Sequence, residues 1–539
     1  MRLAVSSVVA LALVGCIGGA AFAAAPRTEG FRPVDVSALK FTASPYVTIT
    51  NGILTSCVPA GLTNVTATVE ADIDLAEFNA KGFEFTVEGW GERVTKPRIV
   101  YHGVKFSVSF IDPVGGEKFF KDAKGVLGDY DRRVFSAADS IPRQGRVKAK
   151  IRFGLQCSTG KACFDLNTLK VRPIDLGYEL VNQDFRVNYP DSVRRMPLLR
   201  GAMLPNRPER MDEGTFRDLA AWGGTVARYH MTGFGANYLD GGRPAKDVSF
   251  EEEFRQYDAW LEEWMVRLEK DVLGWARKYG IRLAVCLQCP PGGRFVQRRD
   301  RNPIGAYGDM RMFYYDEYAK KFVAVWQMIA KRLKGNEDVI YGYDLINEPD
   351  QKREALVDYW KLQKRAAEAV REIDANTTII IEANTYDNPE AFALLSPLRM
   401  DNVIYSVHMY RPHDFTHQGL YGITAGNAYP NAAKGWDKDF MRKALRPVRE
   451  FQLRHGARIF VGEFSAAIWA EGADCYLSDN IDLFEEYGWD WAYHAFREAE
   501  CWSVEHECDK PGGEYRTSSD NSRMRVLKAK LKPMQKGKD

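Results

Sequence analysis

The stretch Tyr341-Gly-Tyr-Asp-Leu-Ile-Asn-Glu-Pro-Asp350 is an apolar run that stops on an amide, a carboxylate and a proline. It reads as a buried strand with a carboxylate at its exit, stiffened by Pro349. Arg458-Ile-Phe-Val-Gly-Glu-Phe464 has the same design and delivers Glu463. Around these two, the second part of the chain repeats short apolar strands and long amphipathic helices. Eight strands are expected, at 198–204, 224–229, 282–287, 339–346, 378–383, 403–409, 458–464 and 489–496. Helices lie between most of them. Phe254, Tyr257, Leu261, Trp264 and Leu268 keep the three-four spacing of one buried face, with Gly280 as terminator. Phe313, Phe322, Trp326 and Ile329 mark the helix before the fourth strand, and Met524, Leu527 and Leu531 the final one. The repeat predicts an α/β fold, a (β/α)8 TIM barrel over residues 195–535, with its working side chains at the C-terminal ends of the strands. No glycine-rich phosphate loop supports the alternative of a doubly wound open sheet.

At 539 residues the chain is too long for one ordinary core. Residues 30–180 have a different pattern, period-two alternation with almost no helical spacing. In the run Val65 to Leu75 every second residue is apolar. Phe106, Val108 and Phe110 repeat this, as do Val147, Ala149, Ile151 and Phe153. The expectation is an all-β sandwich of jelly-roll type. The segment Gly154 to Asp165 resembles the closing hairpin of carbohydrate-binding jelly rolls. With Trp90 as its single tryptophan, the domain is either a structural accessory or a sugar-binding one. A linker around residues 182–195 leads into the barrel.

The N-terminus reads as an export signal over residues 1–25: Arg2, the apolar run Leu3 to Val14, then small residues through Ala21-Phe22-Ala23. The run is too short to span a membrane convincingly. The destination is then the periplasm or the cell exterior. Leu13-Val14-Gly15-Cys16 admits a second reading, a lipoprotein anchored through Cys16. Export permits disulfides, and the spacing allows Cys157 with Cys163, or Cys475 with Cys501 or Cys508. Cys286 and Cys289 read as packed thiols, since no second CxxC completes a zinc site. A formal net charge of +2 leaves no basic excess for nucleic acid.

A closed barrel brings the ends of the fourth and seventh strands, and so Glu348 and Glu463, around one mouth. Glycosidic bond cleavage in most families uses one carboxyl as proton donor and another as nucleophile or base. Asn347 can donate to a sugar 2-hydroxyl. His408 and Tyr410, two residues apart at the end of the sixth strand, point to the same side. Arg228, ending the second strand, suits holding a neighbouring carboxylate ionised. Glu382 is read as a paired structural carboxylate, Asp344 as part of the barrel interior, and His230 as either a sugar contact or packing. His413 and His417 lack a third ligand nearby, so no metal is expected.

Asn347-Glu348-Pro349 after strand four, His408-x-Tyr410 after strand six and Glu463 after strand seven resemble glycoside hydrolase family 5, the cellulase-type family. Arg228 and Arg200-Gly201 fit its pattern, and the resemblance runs from Pro197 to Leu531. It implies a retaining β-glycosidase with Glu348 as acid/base and Glu463 as nucleophile, their carboxyls about 5–5.5 Å apart. Tyr410 and Arg228 would steady the nucleophile, and His408 would line the site. No cofactor is implied. The expected partner is a polysaccharide or oligosaccharide, cleaved internally at β-1,4-glucan or β-mannan linkages by a monomeric enzyme. The alternatives are exo action on another glycan, or a catalytically silent carbohydrate-binding protein. Two positions depart from the family. Gln288 stands where a histidine usually ends the third strand. His494 falls where a tryptophan usually ends the eighth, leaving Trp491 or Trp502 as a sugar platform. Trp469, six residues past Glu463, is a further candidate platform.

Overall fold

The computed structural model describes residues 30–532, except 76–79, 81, 98–101, 113–115, 118–120, 123–125, 141–147, 235–248, 294–309 and 421–422. The export segment with Cys16, and Val147, lie outside the described residues.

The first strands are β1 (Arg32–Pro33), β2 (Val47–Thr50), β3 (Ile53–Val58), β4 (Thr66–Asp74), β5 (Gly82–Val94) and β6 (Gly103–Asp112). They continue with β7 (Gly116–Glu117), β8 (Lys121–Asp122), β9 (Gly128–Ser140), β10 (Lys148–Gln156) and β11 (Gly160–Ile174). They form two antiparallel sheets, one in the order β2-β3-β11-β5-β9 with β1 on β11, the other β4-β10-β6-β7 with β8 on β6. The alternation does what it predicts: Ala67, Val69, Ala71 and Ile73 of β4 are buried while their neighbours face outward. Aromatic rings join the sheets, with Phe153 of β10 5.4 Å from Phe164 of β11 in an edge-on contact.

All eight described cysteines are free thiols. The pairings that spacing allowed are not made, because the thiols serve separate surroundings. Cys163 is buried inside β11 against Thr55, whereas Cys157 sits part-exposed in the turn before it with φ +47°. Cys475 is exposed, and Cys508 is buried on the Lys510 carbonyl.

The second unit is a closed parallel barrel of β12 (Arg200–Met203), β13 (Val226–His230), β14 (Arg282–Cys286), β15 (Ile340–Asp344), β16 (Ile379–Glu382), β17 (Val403–Met409), β18 (Ile459–Phe464) and β19 (Asp490–Tyr493). These are the eight strands that the rhythm predicts. Inside the barrel, Leu199, Val226, Ala284, Tyr341, Ile380, Ile404, Phe460 and Ala492 form an apolar plug of their own. The outer faces pack on the helices. Trp326, from the helix Asp316–Leu333, meets Tyr343 and donates its indole N–H to the Leu345 carbonyl at 3.0 Å. Phe313 belongs to a separate 3-10 turn, Arg311–Phe313, and not to that helix as its spacing suggested. The long helix Phe250–Arg267 runs through a π turn, Leu268–Val272, before its last segment ends on Gly280 at φ +67°. Among the described residues no helix is long and apolar enough to cross a membrane.

The sandwich docks on the loops that follow β15 and β16. Arg172 bridges Glu84 of its own sheet and Glu354, Arg353 donates to Ser136, and Ser140 meets Thr385 at 3.0 Å. The connecting segment is no free tether. The Tyr189 hydroxyl donates to the Val403 carbonyl and accepts from the Arg458 amide, and the Val187 amide donates to the His455 carbonyl.

Closure of the barrel hangs on Asp490 at the start of β19. It accepts from the Arg458 guanidinium at 2.5 and 2.8 Å, the Tyr341 hydroxyl at 2.7 Å and the Leu199 amide at 2.7 Å. One buried carboxylate thereby ties β19 to β15, β18 and the entry to β12. Asp490→Ala would strand these donors and should destabilise the protein by roughly 3–5 kcal/mol, read as a lowered midpoint of denaturant unfolding.

Candidate active site

Along each barrel strand, a two-residue step moves one layer up the interior. Above Val226 come Arg228 and His230; above Ala284 come Cys286 and Gln288; above Ile380 comes Glu382; above Ile404 come Ser406 and His408. The apolar plug therefore gives way to a charged layer toward the strands' C-terminal ends.

Arg228, with none of its side chain exposed, is the hub of that layer. It donates to Asp344 at 2.9 Å, to Glu382 at 2.7 Å, to Glu463 at 2.7 Å and to the Cys286 sulfur at 3.2 Å. The other oxygen of Glu382 accepts the backbone N–H of Glu348 at 2.5 Å. Glu348 lies in the left-handed region, at φ +50°, a conformation costing of order 1–3 kcal/mol for a non-glycine residue. The Glu382 carboxylate thus anchors the backbone of Glu348 in that turn. Asp387, at φ +53°, receives the Ala383 amide on its carboxylate and offers its carbonyl to the His408 amide.

His408 is fully buried among acids. Its Nδ1 lies 3.1 Å from Glu348 Oε1 and 3.9 Å from Glu463 Oε2, and its Nε2 lies 3.5 Å from Glu382 and 3.9 Å from Asp387. Burial alone would neutralise the ring, but Glu382 and Glu463 push its pKa well above the usual histidine range. Burial also raises Glu463, yet His408, His494 and Arg228 more than offset it, and its pKa lies below the ordinary value. Asp344 goes the other way: burial, reinforced by Glu382 and opposed by Arg228, lifts it to about 7. Burial and Glu382 likewise raise Asp387 well above the carboxylate range.

Among the described residues two clusters bring three ligand-type atoms within 4.8 Å of one another: Glu348, His408 and Glu463, and Glu382, Asp387 and His408. His413 and His417 lie on one short helix with their Nδ1 atoms 3.3 Å apart.

Tyr410 donates to Glu463 Oε2 at 2.9 Å and lies 2.5 Å from His494 Nδ1. Asn347 is buried, and among the described residues its side-chain oxygen has no hydrogen-bond partner; neither has that of the part-buried Gln288 in the adjacent loop after β14. Trp502 is only 4% exposed, packed on Tyr410, His417 and His494, and forms a wall behind the tyrosine. Trp469 is half-buried, its indole donating to the Gln418 carbonyl, and Trp491 is fully buried against Phe464, out of reach as a platform. His230 is buried behind Arg228, its Nε2 3.9 Å from Glu498. Sequence reasoning passed over Glu498 and Asp387. Each lies in a loop beyond its strand, where strand parity carries no signal.

A closed (β/α)8 barrel with two carboxylates on its C-terminal rim, one of them held ionised, is the architecture of a glycosidase. The pattern that defines the cellulase family (glycosyl hydrolase family 5) matches residues 208–500. The chain belongs to this family and is a glycoside hydrolase. It is similar to endoglucanase C of Acetivibrio thermocellus, at 27% identity over 248 residues, which cover 40% of this chain and 68% of that one. It is also similar to cellodextrinase A of Ruminococcus flavefaciens, at 27% identity over 162 residues, 30% of this chain and 44% of that one. Among solved structures, endoglucanase Cel5A of Thermotoga maritima aligns over 61% of this chain and 96% of its own, with 19% identity and a TM-score of 0.43.

If Glu382 holds Glu348 in its turn, Glu382→Ala should lower kcat about 10²-fold, the cost of an ångström-scale misplacement, with KM changing far less. Steady-state kinetics on the folded variant checks this.

Proposed function

We propose that the chain cleaves internal β-1,4 linkages of a glucan by a retaining double displacement, with Glu463 as nucleophile and Glu348 as acid and then base. The observation that carries the reading is proximity: carboxylate oxygens of Glu348 and Glu463 lie within 4.8 Å of each other. That suits the short separation of retaining enzymes, where an inverting enzyme needs about 6.5–9.5 Å to seat a water. Glu463 attacks the anomeric carbon while Glu348 protonates the departing oxygen. Water, deprotonated by Glu348, then releases the sugar with its configuration kept. Arg228 and Tyr410 keep Glu463 ionised and aimed, and Asn347 faces the sugar hydroxyls. Glucan as substrate and attack within the chain follow from family membership and from relatives named endoglucanases. The apolar run Leu3 to Val14 and the small residues that follow it through Ala23 support export to the periplasm or cell exterior; the sandwich is then an accessory domain on a monomeric enzyme.

Reducing-sugar release and viscosity loss on soluble β-glucans, mannans and xylans test substrate and mode together. Early viscosity loss on β-glucan supports the reading; sugar release without it would turn the assignment to exo action. Glu348→Gln should lose roughly 10²–10⁴-fold on glucan, the usual worth of a general acid, and far less on an aryl glycoside with a good leaving group. Glu463→Ala should lose turnover on both, and near-normal turnover would overturn the assignment. The pH profile carries a sign. Glu463 must be ionised to attack and its pKa is depressed, so the acid limb should lie below the ordinary carboxylate range.

A further inference from the structure

The ring of His494, at the top of β19, is engaged through both nitrogens. Nδ1 lies 2.5 Å from the Tyr410 hydroxyl, and Nε2 lies 2.9 Å from Glu498 Oε2. Tyr410 places its one hydrogen on Glu463 Oε2, 2.9 Å away. A phenol has a single hydrogen, so toward His494 its oxygen can only accept. An ionised Glu498 also only accepts. In that arrangement both ring nitrogens donate, as an imidazolium does; a neutral ring protonated on Nε2 would instead draw the Tyr410 hydrogen to Nδ1.

We infer that His494 and Glu498 are positioning residues for the nucleophile: the imidazolium, clamped on Glu498, keeps the Tyr410 hydroxyl hydrogen on Glu463. When His494 loses its Nδ1 proton, the bare nitrogen becomes an acceptor and the hydroxyl can turn to it, leaving Glu463 with one donor fewer. No bond to carbon changes in this step; one proton leaves the ring and one hydroxyl rotates. The proposal rests on reading Glu463 as the nucleophile.

The surroundings agree. Burial lowers the affinity of His494 for its proton, but Glu463, 3.5 Å from Nδ1, and Glu498 raise it above the usual histidine value. Burial raises Glu498, and His494, His230 and Asn206 bring it back below the ordinary carboxylate value. The other groups facing this pair come from every neighbouring element. Glu348 adds negative charge from the loop after β15. His230 of β13 and His417 beyond β17 are held neutral by burial, at about 4 and about 3. Arg228 and His408 reach the pair only through Glu463, and the Trp502 ring lies 5.8 Å away. Because the competent form is the protonated one, its contribution is complete at low pH and is lost as pH rises through the raised pKa of His494. The pair therefore writes an alkaline limb.

Glu348, as the acid, would write an alkaline limb too, so the test uses 2,4-dinitrophenyl β-cellobioside, whose leaving group departs unprotonated. For the wild type, kcat/KM should still fall at alkaline pH. Glu498→Gln should move that fall about one pH unit lower, the usual minimum effect of losing an opposite charge. His494→Gln should abolish the limb, lowering kcat/KM at low pH and leaving it near the wild-type value above the limb. A limb at unchanged pH in both variants overturns the proposal, as does a uniform loss with no change of shape, which a purely structural role would give. A second readout needs neither turnover nor the His494 variant. In 15N-histidine-labelled wild type near neutral pH, His494 should carry protons on both ring nitrogens, and in Glu498→Gln it should lose one at lower pH. A singly protonated ring in the wild type overturns the inference even if the aryl cellobioside is no substrate. Failure of the functional reading would appear separately, as unchanged turnover in Glu463→Ala.

Discussion

The guanidinium of Arg228, sealed inside the barrel, is the interaction on which the rest of the site depends. It satisfies Asp344, Glu382 and Glu463 at once. Three carboxyls packed there without it would repel one another and would meet a full desolvation penalty. With it, Glu382 stays fixed, and the charge of Arg228 joins those of His408 and His494 in lowering the pKa of Glu463. Through Glu382 the same cation reaches the backbone of Glu348, so the two carboxylates that face each other across the mouth share one support.

That arrangement needs a surface on which to be built. The interior plug of Val226, Ala284, Tyr341, Ile380, Ile404, Phe460 and Ala492 excludes water from below. Charged side chains one step higher are then screened only by each other, and their interactions are correspondingly strong. The outcome is divergence among chemically similar groups: Asp344 and Asp387 are driven toward the protonated form and Glu463 toward the ionised one, while His408 is driven toward the cation and His230 toward the neutral ring. Neighbour charge, far more than residue type, separates their roles.

The β-sandwich joins this from outside. Its hydrogen bonds and ion pairs reach Arg353, Glu354, Asn384 and Thr385, in the two loops that leave β15 and β16. These loops carry the left-handed residues Glu348, Thr385, Tyr386 and Asp387. Strained backbone persists only where its surroundings over-determine it, and the docked sandwich supplies part of that constraint.

Period and parity in the sequence were enough to set out the eight barrel strands, the two-sheet sandwich, and the carboxylates Glu348 and Glu463 at strand exits. Burial periodicity is a local property, written within a few residues, and so it can be read without the fold. The neighbour contacts were not legible. That Glu382 shares Arg228 with Glu463, that Asp387 closes on His408, and that Glu498 reaches His494 all join residues from different strands or from loops. Cysteine spacing misled for the same reason, since separation along the chain says nothing of which way each thiol faces. Sequence by itself determined that Glu348 and Glu463 lie at strand exits on the barrel's mouth. Only the tertiary structure decided which are charged and which hold others in place, because both depend on distances that barrel closure sets.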